Sequence, residues 1–313
     1  MSLLFELPPT DDIVALALAE DLGVSPARFR RGVRPAEDGE APLLRRDVTT
    51  SAVLPPDAAF FGRVVAREAC VVCGLHVLAQ VYEMLTDAAG TEPVEVFPLV
   101  AEGAGVKSGE PVAEVSGSAL AVLAGERVAL DFLMVLSGIA TEARRWQDAA
   151  GDRTAVCDTR KTYPGLRALS KYAVRVGGGT NHRQGLWDML LVKDNHIAAA
   201  GSLARAVALA REAEPELALE VEADTPGQAA EACRAGADMV LLDNMDGATL
   251  ARAVAAVREA AEERGLPCLT EASGGVTFER LEGIAAAGVD RVSSSALTLT
   301  PPCDFGLDEG EAS

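Results

Sequence analysis

Aromatic side chains are scarce in this sequence, at 4% of residues, and histidine occurs only three times. A core must therefore be built from short aliphatic side chains. Hydrophobic residues make up 49% of the chain, with alanine, leucine and valine dominant, a composition suited to many helices packed on short strands. Positive charge is also in short supply: 28 lysines and arginines stand against 47 carboxylates, a formal net charge of −19. A field of that sign repels nucleic acid and anionic membrane, and argues against both as partners. It does not exclude a small anion, because short-range contacts in a locally basic pocket outweigh distant, salt-screened charge. No apolar run is long enough to span a bilayer and no signal peptide opens the chain, so a cytoplasmic protein is expected. Six cysteines in 313 residues make no disulfide framework. Cys157, Cys233 and Cys268 lie in apolar segments, as buried thiols do, and the lone CxxC of Cys70 and Cys73 reads as structural.

What is present divides into two parts. Asp11 to Leu22 has helical spacing, with Ile13, Leu16, Ala17 and Leu22 on one side, and stops at Gly23. Val24 to Arg46 loses all periodicity and carries six arginines, the pattern of a solvated loop insertion. From Phe60 the runs FFGRVVAR, CVVCGL, VEVFPL and VAEVSG read as strands, with a helix around Val77 to Leu85. Together these predict a small α/β sandwich. Ser118 to Ala150 is helical in spacing, with an expected interruption near Ser137 and Gly138.

After Gly151 short apolar runs alternate with helical segments, the signature of repeated βα units in a parallel barrel. The runs are TAVCDTR, DMLLVKDN, LALEVEA, ADMVLLDN, PCLTEAS and VDRVSSS, and each ends in polar residues. Active sites of parallel α/β barrels sit at the carboxyl ends of the strands, so these endings share one rim. They supply Asp158, Arg160 and Lys161; Lys193, Asp194 and Asn195; Glu222; Asp243 and Asn244; Glu271, Ser273, Gly274 and Gly275; and Ser293, Ser294 and Ser295.

The chemistry follows from the residue types. Arginine suits bidentate carboxylate or phosphate binding and lysine acts as a point charge. The string GGGTNHRQGLWDMLLVKDNHI adds His182, Arg183 and Lys193 to Arg160 and Lys161. Glu222 and Asp243 offer carboxylate oxygens to magnesium or to sugar hydroxyls. Ser273 and Gly274 form a candidate phosphate cradle ahead of a helix. His196, at a helix start, and His76, between a strand and a helix, read as capping or packing residues. Other readings of the same rim are a Schiff-base aldolase working through Lys193 and a non-catalytic anion-binding barrel.

With these residues in place, the sequence resembles the quinolinate phosphoribosyltransferase family, also called nicotinate-nucleotide pyrophosphorylase (carboxylating). The resemblance is carried by ERVALDFLMVLSGIAT, DTRKTYPGLRALSKYAVRVGGGTNHRQGLWDMLLVKDNHI, EVEAD, LLDN and EASGG, in family order from Glu126 to Gly275. It implies an amino-terminal α/β sandwich in residues 1–130, with 24–46 as an insertion, an incomplete α/β barrel in 131–295, and a tail in 296–313 returning to the first domain. It further implies a homodimer or higher homo-oligomer with a shared active site. The implied reaction joins quinolinate and phosphoribosyl pyrophosphate, with Mg2+, to give nicotinate mononucleotide, pyrophosphate and CO2. By motif position, Arg160, His182, Arg183 and Lys193 would bind quinolinate, with Arg127 arriving from the partner. Lys161, Glu222, Asp243, Ser273, Gly274 and Ser295 would hold phosphoribosyl pyrophosphate, with Lys161, Glu222 and Asp243 taking part in catalysis and Glu222 and Asp243 holding the metal. The chain departs from the family pattern at Ser295 and Leu299, where a glycine and a histidine or glutamine are usual. That departure leaves open a paralogue acting on another aromatic acid.

Overall fold

The computed structural model describes residues 7–30 and 42–310. Its elements in chain order are α1 (Asp11–Leu22), α2 (Val48–Val53), β1 (Ala59–Ala66), β2 (Cys70–Val71), α3 (Leu75–Ala89), β3 (Glu95–Pro98), β4 (Gly105–Val106), β5 (Pro111–Ser118) and α4 (Ala119–Ala150). There follow β6 (Ala155–Cys157), α5 (Arg167–Val176), β7 (Leu190–Val192), α6 (Asp194–Ala200), α7 (Leu203–Ala213), β8 (Leu219–Ala223), α8 (Pro226–Ala235) and β9 (Met239–Asp243). The last are α9 (Gly247–Arg264), β10 (Leu269–Ser273), α10 (Phe278–Ala286), β11 (Arg291–Ser293) and β12 (Phe305–Glu309). Two compact units result. The first takes the described residues up to Thr141, Pro164–Gly177 and those from Thr300; the second takes Glu142–Tyr163 and Gly178–Leu299.

In the first unit, α1 opens with Asp11 and Asp12, where the helix dipole favours negative charge. It closes at Gly23, whose φ of 63° lets the Val24 N–H donate to the Ala19 carbonyl at 3.0 Å. The helix has the expected bounds but not the expected face. Val14, Ala15, Leu18, Ala19 and Leu22 are buried, whereas Leu16 is 51% exposed. This helix is apolar almost all round, so periodicity alone does not select the packed side. Ile13, Leu16 and Ala17 instead line an open groove of about 420 Å³ with Val128, Phe132 and Val135 of α4.

The arginine-rich stretch is anchored where it meets the fold. Phe29 in a short 3-10 turn, and Leu43 and Leu44 in another, are buried. Residues 31–41 of the expected insertion lie outside the described residues.

A four-stranded sheet of order β12-β1-β5-β3, antiparallel throughout, forms the frame of this unit. β12 pairs along β1 from Gly62↔Glu309 to Ala66↔Phe305, which returns the carboxyl-terminal segment to the first unit. The CVVCGL run yields only the two-residue β2, because Gly74 turns at φ 108° and α3 begins at once. Glu102 accepts the Gly74 N–H at 2.6 Å and the Leu75 N–H at 3.3 Å, satisfying donors that a helix start leaves open.

The long helix α4 is continuous, without the break expected at Ser137 and Gly138. These small residues serve packing instead. A Cβ on Gly138 would stand 2.4 Å from the Pro301 carbonyl oxygen, and Ser137 Oγ accepts the Cys73 N–H at 3.0 Å. The division between the units consequently falls inside α4 at Thr141, not at residue 130.

The second unit is an open six-stranded sheet of order β6-β11-β10-β9-β8-β7, parallel throughout. Strands β7 to β11 lie in chain order with helices between them, and β6 closes on β11. A single parallel bridge, Cys157↔Thr180, extends the far edge of β6. Because side chains alternate along a strand, the pairing register assigns one face to Leu191, Glu220, Glu222, Met239, Leu241, Asp243, Glu271, Ser273, Arg291, Ser293 and Cys157. That face is rich in charge, and its upper end is the shared carboxyl end of the strands.

Candidate active site

The turn after β6 begins with Asp158, which is fully buried. Its carboxylate accepts the Asn181 amide at 2.6 Å and the His182 backbone N–H at 2.9 Å, tying the GGGTNHR segment to the strand end. The next residues are held by short contacts. Lys161 N–H donates to Thr159 Oγ1 at 3.0 Å, and the buried Thr298 hydroxyl donates to the Lys161 carbonyl at 2.8 Å. Lys161 itself is exposed at the rim.

Arg160 and Arg183 lie close enough for their charges to interact. Burial first, and the Arg160 charge second, pull the Arg183 guanidinium below its ordinary pKa. Two like charges at about 4 Å cost on the order of 4 kcal/mol at an effective dielectric near 20. The Glu220 and Asp188 charges offset part of that repulsion on Arg183, and a carboxylate bound beside the two arginines would offset it further. The Arg183 side chain is also steered by its Nη1, which donates to the Met189 carbonyl at 3.3 Å. Asp188 fixes the intervening loop by accepting the Gln184 and Gly185 N–H groups at 2.7 and 2.9 Å.

Lys193, one residue beyond β7, forms an ion pair with Glu222 at the end of β8. The His196 ring accepts the Lys193 N–H at 2.9 Å, a capping contact that leaves His196 outside the cation cluster. Asp243 ends β9 and accepts the Asn244 amide at 2.6 Å. Asn244 is the only non-glycine residue with positive φ among those described, at 53°. Its N–H donates to the Ser273 carbonyl at 3.0 Å, joining the ends of β9 and β10.

Gly274 follows with φ 82°, and a Cβ there would stand 2.5 Å from Asn244 Oδ1 and 2.7 Å from Asp243 Oδ1. Its positive φ and the absence of a Cβ let the Asp243 and Asn244 side chains close on the Gly274 backbone, which brings a carboxylate against the end of β10. Ser294 is occupied in structure, its hydroxyl donating to the Val276 carbonyl at 3.2 Å and accepting the Ala296 N–H. The Ser295 carbonyl accepts the Thr298 N–H at 3.2 Å, while its side chain is half-buried.

Two expected residues stand apart. Arg127 lies in the first unit, on α4, exposed and paired with Asp131 at 3.4 Å. His182 lies beneath the rim with its side chain 8% exposed. Its Nδ1 accepts the Arg183 N–H at 2.7 Å, and its Nε2 stands 3.0 Å from Glu220 Oε2 and 3.5 Å from Glu271 Oε1. Glu271 in turn lies 3.1 Å from Arg291 Nε. Burial, then the Glu220 charge, raise the Glu271 carboxyl to about 7. Burial likewise pushes the neighbouring Cys157 thiol to about 12, so it is not a nucleophile at neutral pH.

Glu220 and Arg291 have no place in the sequence reading of the rim. Their signal was charge inside otherwise apolar strand runs, at positions two residues below the recognised endings. His76, half-buried against Tyr172 with ring centroids 5.1 Å apart, is a packing residue, and desolvation lowers its pKa.

The fold defines a class: a two-unit α/β enzyme with an antiparallel-sheet unit and a parallel-sheet unit whose strands end in charged and polar residues. Two family matches cover most of the chain. The quinolinate phosphoribosyl transferase N-terminal domain matches residues 47–137 and the C-terminal domain residues 139–308. The nicotinate-nucleotide pyrophosphorylase (carboxylating) of Mycobacterium leprae (strain TN) is 41% identical over 264 residues, covering 84% of this chain and 90% of its own. The probable nicotinate-nucleotide pyrophosphorylase (carboxylating) of Synechocystis sp. is 43% identical over 249 residues, covering 78% and 81%. The crystal structure of NadC from Streptococcus pyogenes superposes with a TM-score of 0.82 at 34% identity over 97% of each chain. This chain belongs to the quinolinate phosphoribosyl transferase family, and is a phosphoribosyltransferase.

Proposed function

We propose that the protein transfers the phosphoribosyl group of phosphoribosyl pyrophosphate to quinolinate, with loss of CO2, to give nicotinate mononucleotide and pyrophosphate for NAD biosynthesis. The observation that carries this reading is the proximity of the Arg160 and Arg183 charges at the end of the sheet where Asp243 and Gly274 also lie. The two arginines suit a dicarboxylate, and the ends of β9 and β10 suit a phosphorylated sugar. Lys193 adds a third cation, and Glu222 keeps it fixed until the acid arrives.

Lys161, Ser273, Gly274 and Ser295 are assigned to the phosphates of the second substrate. Glu222 and Asp243, on one face of neighbouring strands, offer the hard oxygen donors that Mg2+ prefers and fit it as ligands. Bound there, the ion would supply charge to offset that on departing pyrophosphate. Lys161 gives a further positive charge to the same leaving group. The carboxylates also stabilise positive charge on the ribosyl carbon as the pyridine nitrogen attacks. Decarboxylation then draws on the substrate itself, since the quaternised nitrogen stabilises the carbanion at the adjacent ring carbon. No side chain acts as a covalent nucleophile.

The groove beside α1 and α4, with exposed Arg127 at its edge, supports pairing of two copies, with this arginine offered to the partner's site. The assay is release of pyrophosphate and CO2 by purified protein with Mg2+ and both substrates, run beside a panel of other pyridine acids. Quinolinate-dependent release is expected. Its absence, or preference for another acid, rejects the reading.

A further inference from the structure

We propose that Cys70 and Cys303 form an oxidisable dithiol, which a hydroperoxide closes into a disulfide joining the carboxyl-terminal segment to β2. The inference concerns the first unit alone and does not rest on the function proposed above.

All six cysteines are free thiols. In sequence Cys70 belongs with Cys73, but Cys73 is fully buried and turned to other partners. Its N–H donates to Ser137 Oγ at 3.0 Å, and burial first, then the Glu102 charge, raise its thiol well above the ordinary value. Distant chain comes to Cys70 instead. β12 pairs with β1 as far as Ala66↔Phe305. Beyond that pair, the Arg67 N–H donates to the Asp304 carbonyl at 2.8 Å and the Asp304 N–H to Glu68 Oε1 at 2.9 Å. The Cys303 N–H donates to the Met134 carbonyl at 3.0 Å, which fixes the segment against α4. Thr141 Oγ1 stands between the two cysteines. It accepts the N–H of Val71, the neighbour of Cys70, at 2.8 Å and lies 3.6 Å from Cys303 Sγ. Backbone pairing and a shared hydroxyl therefore bring the two thiols together from opposite ends of the unit.

Their contact gives the two thiols different roles. Hydrogen bonding from Cys70 lowers the Cys303 thiol below its ordinary value, and the same contact raises Cys70. Burial holds Cys157 and Cys268 at about 12. Cys303 is thus the thiol that ionises and reacts first, with Cys70 as the resolving thiol beside it. The Cys303 thiolate attacks one peroxide oxygen and the O–O bond breaks. Cys303 becomes a sulfenic acid, and the hydroxide released takes up the proton that Cys303 lost, giving water. The Cys70 sulfur then attacks the Cys303 sulfur and the S–O bond breaks, so the hydroxyl leaves with the Cys70 proton as a second water. Two thiols are oxidised to one disulfide and the peroxide is reduced to two waters. Cys70 and Cys303 are 5% and 6% exposed, which favours an oxidant this small over a bulky disulfide.

The test uses the full-length wild-type chain, reduced, freed of reductant and treated with a small molar excess of hydrogen peroxide. The protein is then unfolded, its remaining thiols are alkylated, and its peptides are mapped by mass spectrometry. The chain should lose the mass of two hydrogen atoms, Cys70 and Cys303 should resist alkylation, and one peptide pair should carry the Cys70–Cys303 bond, all reversed by dithiothreitol. Cys268, the most exposed of the six thiols, should remain alkylatable. In Cys70→Ala the resolving thiol is gone, so dimedone should trap a sulfenic acid on Cys303. Cys70 and Cys303 left fully alkylatable in wild type, a bond from Cys70 to Cys73, or oxidation that reaches Cys268 first overturns the proposal. The wild-type map requires no variant to fold and no substrate to turn over, so its outcome is separate from that of the quinolinate assay.

Discussion

Replacing Glu271 with glutamine should change how stability depends on pH. The carboxyl faces Glu220 on β8, Arg291 and Ser293 on β11, Cys157 on β6 and His182 on the segment above. Burial first and the Glu220 charge second raise it from 4.5 to about 7 in the folded protein. A carboxyl held above its unfolded value favours the fold in its protonated form. That contribution is complete below about pH 4.5 and is lost as pH rises through 7. The shift from 4.5 to about 7 corresponds to a contribution on the order of 3 kcal/mol, most of which falls between pH 5 and pH 8. Glutamine does not titrate. The stability of wild type minus that of Glu271→Gln, taken from urea unfolding at several pH values, should therefore fall by roughly 2 to 3 kcal/mol over that window. A difference that is flat with pH, or that grows as pH rises, refutes the assignment of a buried, proton-retaining carboxyl at this position.

Two further substitutions probe the rim. Gly274→Ala places a Cβ at φ 82°, 2.5 Å from Asn244 Oδ1 and 2.7 Å from Asp243 Oδ1, and must displace both side chains. It should lower kcat/KM for phosphoribosyl pyrophosphate by about 100-fold, with roughly 1–2 kcal/mol of destabilisation, read by pyrophosphate release and thermal melting. Thr298→Val removes the hydroxyl that donates to the Lys161 carbonyl at 2.8 Å. It should cost about 1 kcal/mol and raise KM for phosphoribosyl pyrophosphate several-fold while leaving quinolinate KM unchanged; equal changes in both would place Lys161 elsewhere.

The barrel strands were legible because each apolar run is short, is followed by a helical segment and ends in polar residues. Position at a strand end is a property of sequence order, so Lys193, Glu222, Asp243 and Ser273 could be read as rim residues without coordinates. Glu220 could not. In LEVEA the alternation of glutamate with apolar residues reads as one solvent face, since buried parallel strands are normally apolar on both sides. Here the face bearing Glu220 is buried, packed with His182, Glu271 and Arg291, and only the pairing of distant strands brings those residues together. Ser137 and Gly138 misled for a related reason. Their local effect is to weaken a helix, but Gly138 admits the Pro301–Cys303 segment and Ser137 accepts a buried N–H, so distant chain decides the outcome. For α1 the sequence supplied the caps but too little contrast to choose a side.

Buried charge in the lower barrel calls for a physical reason, because parallel barrels are ordinarily filled with branched aliphatic side chains. Glu220 and Glu271 are fully buried, and Arg291 is nearly so. Taking such groups from water costs several kcal/mol each, and their mutual attraction often does no more than offset it. Stability alone therefore does not favour this trio over hydrocarbon. A protein selected only for folding would lose it without penalty; one that needs the Glu220 charge beside Arg183 would not. The triple variant Glu220→Leu, Glu271→Leu, Arg291→Met separates the two cases. It should fold with stability equal to wild type or up to about 1–4 kcal/mol greater, measured by urea unfolding, because all three charges leave together and none is stranded. Its KM for quinolinate should nevertheless rise at least tenfold, since the Glu220 charge that offsets Arg160 at the Arg183 guanidinium is gone. Wild-type kinetics in a folded triple variant would make the charges dispensable to substrate binding, and an unfolded chain would make them structural. Only the combination of an intact fold with weakened acid binding is consistent with charges retained for substrate binding.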